Sequence, residues 1–95
     1  MDINTYTLAN VYKDTNLSGV IEFSSTLDYT ILLNKFNILM DTFKQSINNK
    51  IISTQNILMY QNEHNKNNFY ISIPFYDTNT FLFLTESIFE FIKNL

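Results

Sequence analysis

Asp14, Asn16 and Ser18 set oxygen-bearing side chains at every second position just ahead of Gly19, a spacing that suits a loop wrapped around a hard divalent cation. Calcium takes roughly six to eight oxygens, and a bidentate carboxylate late in the loop normally supplies two of them. Ser25 occupies that late place here, and the nearest carboxylate, Glu22, comes three residues too soon. His64 is the single histidine, set between Glu63 and Asn65. As a general base it would need an orienting carboxylate and a cleft, and as a metal ligand it would need companions at fixed spacing. The sequence supplies neither, so a solvated loop histidine is expected. Glu86 and Glu90 stand one helical turn apart, a like-charge pair that usually only solvates an exposed face. Their functional alternative is an acidic patch that attracts a basic partner.

The run Asp14–Ile21 resembles the first eight positions of an EF-hand calcium loop, with glycine at the sixth place and Ile21 at the eighth. The resemblance lacks the bidentate glutamate, and no clear helix precedes it. A polar hairpin turn is therefore the expected structure, with no metal and no cofactor.

The aromatic residues point more clearly to binding. Tyr6, Tyr12, Val20, Tyr70 and Tyr76 are expected on the open side or rim of a sheet. Tyrosine concentrates at contact hot spots because it joins rigid area to a hydroxyl. RNA-recognition sheets also use aromatics, but with a glycine-rich, basic motif that this chain does not carry. In the C-terminal helix, Leu82, Phe83 and Phe89 lie off the stripe formed by Phe81, Leu84, Ile88 and Phe91. A helix apolar around so much of its circumference is buried on two sides. A partner or a second subunit, as in a homodimer through this helix, is expected to meet the extra side. The candidate contact residues are thus Tyr6, Tyr12, Tyr70, Tyr76, Glu86, Phe89 and Glu90.

Composition narrows the function class. The 95 residues fit one domain, 1–95, and 45% hydrophobic residues supply a core. Cysteine is absent, which excludes disulfides and thiolate sites and suits a cytoplasmic setting, that of a host cell if the chain is viral. The N-terminus has neither a basic start nor an apolar run, and no stretch reads as a membrane span. Net charge is -3, there is no arginine, and the six lysines are scattered, which disfavours direct nucleic-acid binding. One glycine and one proline leave no material for a phosphate-cradling loop. The richness in Asn, Ile, Lys, Phe and Tyr matches A+T-rich coding, as in low-GC bacteria, their phages and some large DNA viruses.

These residues are positioned by two similar halves, 3–47 and 50–95, each reading as strand, turn, strand and helix. Alternation marks strands over Thr5–Lys13 and Leu17–Ser24, and Ser25 with Asp28 has capping-box spacing for a helix reaching about Ile47. Leu32, Phe36, Leu39 and Phe43 form its stripe, widened by Leu33, Met40 and Ile47. A third strand places Ile52, Leu58 and Tyr60 on one face and Ile51, Ile57 and Met59 on the other, with both faces expected to be partly buried. A polar loop, Gln61–Asn67, leads to the clearest strand, Phe69–Tyr76, where Pro74 predicts a sheet edge or a strand end. Asp77–Thr80 resembles a second helix cap, although Phe81–Leu84 is also compatible with an extension of the sheet. A shift of 50 aligns Ile21 with Ile71 and Thr30 with Thr80.

The expected fold is α+β: two ββα units forming a four-stranded antiparallel sheet with two helices packed on one face. The expected function is that of a small acidic protein-binding module and not an enzyme, an inhibitor or modulator of a host macromolecule of the anti-defence kind that phages and mobile elements encode. The alternatives are an immunity or antitoxin-like partner protein and a homo-oligomeric module for a small ligand.

Overall fold

A computed structural model describes residues 2–12, 16–44 and 53–95, with side chains from Asn16 onward in the strands and helices and Lys44 excepted. The elements are β1 (Asp2–Tyr12), β2 (Asn16–Ser24), α1 (Tyr29–Lys44), β3 (Leu58–Gln61), β4 (Asn68–Asp77) and α2 (Thr78–Lys93). The chain is α+β, an antiparallel sheet with two helices. Three strands, β2, β4 and β3, carry the described side chains of the sheet, and β1 pairs along the outer side of β2.

Period-2 alternation decides which side chains enter the core. Ile21 and Phe23 of β2, Phe69, Ile71 and Ile73 of β4, and Met59 of β3 are buried together. They join Leu32, Phe36, Met40 and Phe43 of α1 and Phe81, Leu84, Ile88 and Ile92 of α2 in one cluster. Each fully buried side chain such as Leu84 or Ile88 stabilises the fold by roughly 1.5–3 kcal/mol. The helices touch through Phe36 and Phe91, ring centroids 6.4 Å apart, and through Phe43 and Phe83, 5.8 Å apart. Those two pairs make α1 and α2 antiparallel.

The central pairing has a local symmetry. Ile21 lies opposite Ile71, the two positions that the shift of 50 superposes. The neighbouring pairs, Val20 with Ser72 and Glu22 with Tyr70, exchange under the same shift. The contact of β2 with β4 is therefore two-fold about the Ile21–Ile71 pair.

Pro74 departs from expectation, because β4 lies between β2 and β3 and continues to Asp77. Two features remove the cost of its missing N–H. The register shifts between Gly19–Ile73 and Leu17–Tyr76, so β4 carries one extra residue there, a bulge where ladder bonding is already interrupted. On its other side, β3 pairs only as far as Ser72. The bulge also resets the alternation: Phe75 is exposed, while Tyr76 packs with Leu17 against the core.

The helix starts differ in kind. Asp77 caps α2, accepting from the Thr80 amide at 3.2 Å and from the Thr80 hydroxyl at 2.6 Å, and Phe81–Leu84 are helical. Ser25 does not open α1. It is buried, and its hydroxyl accepts from Leu27 N–H at 3.1 Å while its own amide donates to the Asn67 carbonyl. The local bond wins over the capping box, and α1 begins only at Tyr29. In α1, Met40 is buried and Leu39 half-buried, the reverse of the expected ranking. In α2, Ile92 takes the buried place expected for Phe91. The third strand is shorter than expected because Thr54–Ile57 form a turn, closed by Ile57 N–H to the Thr54 carbonyl at 3.1 Å. It also buries only one face, with Ile57 and Met59 inside and Leu58 and Tyr60 outside. Positions 45–52, which include Ile47, Ile51 and Ile52, lie outside the described residues.

Candidate binding surface

The outward side of β2, β4 and β3 forms a surface whose rows follow from the register. Tyr60, Tyr70 and Glu22 lie side by side across the three strands, and Leu58, Ser72 and Val20 form the adjacent row. Tyr60 is 48% exposed, Leu58 44% and Val20 38%, while Tyr70 is half-buried between its neighbours. Cross-strand neighbours on one face stand close enough for their side chains to form continuous area.

Two asparagines hold this surface in place. Asn62 donates from Nδ2 to the Tyr70 hydroxyl at 2.8 Å, while its Oδ1 accepts from the amides of His64 at 2.8 Å and Asn65 at 3.2 Å. One side chain thereby closes the 62–67 turn and orients Tyr70. Gln61 reinforces the turn through its side-chain amide to the Lys66 carbonyl. Asn68 donates to Glu22 Oε2 at 2.9 Å and accepts from the Ser24 hydroxyl at 3.1 Å. Glu22 is the carboxylate in the row of Tyr60 and Tyr70, and this bond draws it into the sheet. What remains around Tyr60, Tyr70, Leu58 and Val20 is an area of aromatic rings, aliphatic groups and hydroxyls.

The residues singled out from sequence do not all converge here. Tyr70 is on the face, and Tyr60 and Leu58 belong to it too, although they were not expected there. The signal was available in the alternation with Ile57 and Met59, whose burial forces their neighbours outward. Tyr76 is turned away by the bulge: it is half-buried, donates to the Ser53 carbonyl, and burial raises its pKa above the ordinary 10.0. Glu86 and Glu90 are exposed on α2, and Glu90 lies 3.7 Å from Lys93. Phe89 is half-buried and packs against the core. Backbone pairing places Tyr6 opposite Ile21 and Tyr12 opposite Asn16, and their side chains lie outside the described residues.

His64 is exposed in the Asn-rich turn. Asn16–Ile21 are extended and paired with β4, so they do not curl around an ion, and Asp14 and Thr15 lie outside the described residues. Among the described residues no group of three or more His, Asp or Glu comes together to hold a metal. A half-open groove of about 280 Å³ runs between α1 and 54–59, lined chiefly by Leu33, Phe36, Met40, Ile57 and Met59. No helix among the described residues is long and apolar enough to cross a membrane.

Comparison with family models, with curated proteins and with solved structures found no match in any of the three.

Proposed function

We propose that this chain is a protein-binding module whose contact surface is the outward sheet face around Tyr60, Tyr70, Leu58 and Val20. The observation that carries the reading is the combination of exposed rings and aliphatic groups with one charged residue, Glu22, in the two rows they form, in a chain whose net charge is -3. Interface centres are depleted of charge and enriched in tyrosine in this way. The occupant that fits is a protein surface with a matching apolar patch and hydrogen-bonding groups for the tyrosine hydroxyls. A polyanion does not fit, because a chain of this charge and without arginine offers phosphates little attraction.

The module is best read as two ββα units closing into a four-stranded sheet with both helices on one side, which leaves the opposite side for contact. Its role is that of an inhibitor or modulator of a host macromolecule in the host cytoplasm, the anti-defence kind encoded by phages and mobile elements, and it binds rather than catalyses. Small size, acidity and A+T-rich composition support that role.

The test is affinity capture from the native host with three baits. The wild-type chain and the charge-reversed Glu86→Lys/Glu90→Lys chain are expected to retain the same target, and Tyr60→Glu is expected to lose it. Retention by Tyr60→Glu together with loss by the charge-reversed chain would move the contact to α2 and overturn the assignment.

A further inference from the structure

Asn62 fixes the sense of the hydrogen bond that holds Tyr70. Its Oδ1 accepts from the His64 and Asn65 amides, which identifies the other side-chain atom as Nδ2, a group that only donates. The Tyr70 hydroxyl, 2.8 Å from Nδ2, therefore accepts this bond. A phenol that accepts from Asn62 keeps its own proton for another group. Among the described residues no acceptor takes that proton. Tyr60, beside it in the row, is under no such restraint, and its hydroxyl can rotate to donate or to accept.

That restraint gives the surface a fixed polarity. A hydroxyl that already accepts one bond is a stronger donor, because hydrogen bonds in a chain polarise one another. Tyr70 is half-buried, so a partner that covers it strips the remaining water from its O–H. Such a partner must supply an acceptor or leave the proton unpaired, which is costly. The charge of that acceptor is set across the strand, where Glu22 lies opposite Tyr70. A carboxylate laid over Tyr70 would meet a like charge beside it, and the chain's net charge of -3 adds to the repulsion. A neutral carbonyl meets neither. On the other side Tyr60 and Leu58 expose apolar area, which the residue bearing that carbonyl can cover with an aliphatic side chain.

We infer that the surface selects a protein partner that lays an uncharged main-chain carbonyl on the Tyr70 hydroxyl and an aliphatic side chain on Tyr60 and Leu58, with Asn62 aiming the donor. This rests on the protein-binding reading above and names the chemistry of its occupant. Tyr70 touches the partner, whereas Asn62 is a positioning residue that acts through Tyr70. One substitution separates the two roles. Asn62→Asp keeps an oxygen for the His64 and Asn65 amides and puts a second oxygen where Nδ2 stood. Near neutral pH the Tyr70 proton then turns inward to that carboxylate, and the surface loses its donor while keeping its shape.

The test is NMR titration of the full chain, its tyrosine rings labelled, with two probes that share a leucine side chain. N-acetyl-leucine N-methylamide is neutral, and N-acetyl-leucine carries a carboxylate. The neutral probe is expected to shift the Tyr60 and Tyr70 signals with a Kd in the millimolar range, the scale for so small a ligand, and the carboxylate probe to bind more weakly. Tyr70→Phe and Asn62→Asp are each expected to weaken the neutral probe about tenfold. Asn62→Asp should do so while keeping the melting temperature and the slow exchange of the His64 and Asn65 amides, which a merely structural role for Asn62 would not produce. If those amides lose protection, Tyr70→Phe decides alone. No binding of the neutral probe, equal binding of the two probes, or wild-type affinity in Tyr70→Phe overturns the inference. Wild-type affinity in Asn62→Asp with the turn intact overturns it as well. Should any of these accompany loss of the captured target by Tyr60→Glu, the binding function stands and only this inference falls. A target retained by Tyr60→Glu removes the function itself.

Discussion

Replacing Tyr76 by Phe removes a single oxygen and tests what the bulge at Pro74 achieves. The bulge turns Tyr76 inward, where the ring packs beside Leu17 and the hydroxyl donates to the Ser53 carbonyl, tying β4 to the segment that leads into β3. Tyr76→Phe keeps the packing and deletes the bond. A net hydrogen bond of this kind contributes about 0.5–1.5 kcal/mol, and the exposed position of Ser53, whose carbonyl can turn to water, places the expected loss at about 0.5–1 kcal/mol. For a domain of this size that is a fall in melting temperature of about 2–8 °C near neutral pH. The pH dependence sharpens the test. Burial raises the Tyr76 pKa above 10.0, so as pH rises the unfolded chain releases this proton first. The stabilisation tied to this hydroxyl is complete below pH 10.0 and is lost as pH climbs through the raised folded value. Melting both proteins at steps from about pH 7 to about pH 11 should show the wild-type advantage shrinking at the alkaline end, with the other tyrosines cancelling in the difference. Parallel curves across that range would refute the inward placement of the hydroxyl.

Four further substitutions test separate parts of the fold. Asp77→Ala should cost about 1 kcal/mol in urea unfolding through loss of the α2 cap, and an unchanged midpoint would mean that the carboxylate does not bond Thr80. Asn62→Ala should cost about 1–2 kcal/mol and speed amide exchange at His64 and Asn65, since three hydrogen bonds leave together. Leu84→Ala should cost about 2–5 kcal/mol by opening a cavity in the core. Leu82→Ala, two residues away and exposed, should stay within about 0.5 kcal/mol in the dilute chain.

The sequence was most legible where one rule acted alone. Strict alternation in β4 marked Phe69, Ile71 and Ile73 for the core, and Asp77 ahead of Thr80 announced the α2 cap, because no competing bond was on offer. Legibility failed where local choices depended on distant neighbours. Ser25 carries a capping signal, but the Asn67 carbonyl takes its amide and Leu27 takes its hydroxyl, so α1 starts later. Pro74 reads as a sheet edge until the bulge opposite Gly19 and Leu17 is known, and a bulge leaves no period of its own in the sequence. The same bulge withdrew Tyr76 from the contact face. Tyr60 and Leu58 entered that face because the third strand, apolar at every second place on both sides, has its inner side chosen by α1 and not by composition.

The meeting of β2 with β4 also governs how the chain finds its fold. A hairpin such as β3–β4 closes across a short turn, on a scale of about 1–10 µs. Ser24 and Asn68, partners across the central pairing, stand 44 residues apart, so that union must await a chance encounter between the halves. Until it happens Ile21 and Ile71 stay in water, and neither helix has a finished platform on which to settle. The slow event in folding is therefore expected at the centre of the sheet, and substitutions at Ile21 or Ile71 should retard refolding more than they hasten unfolding.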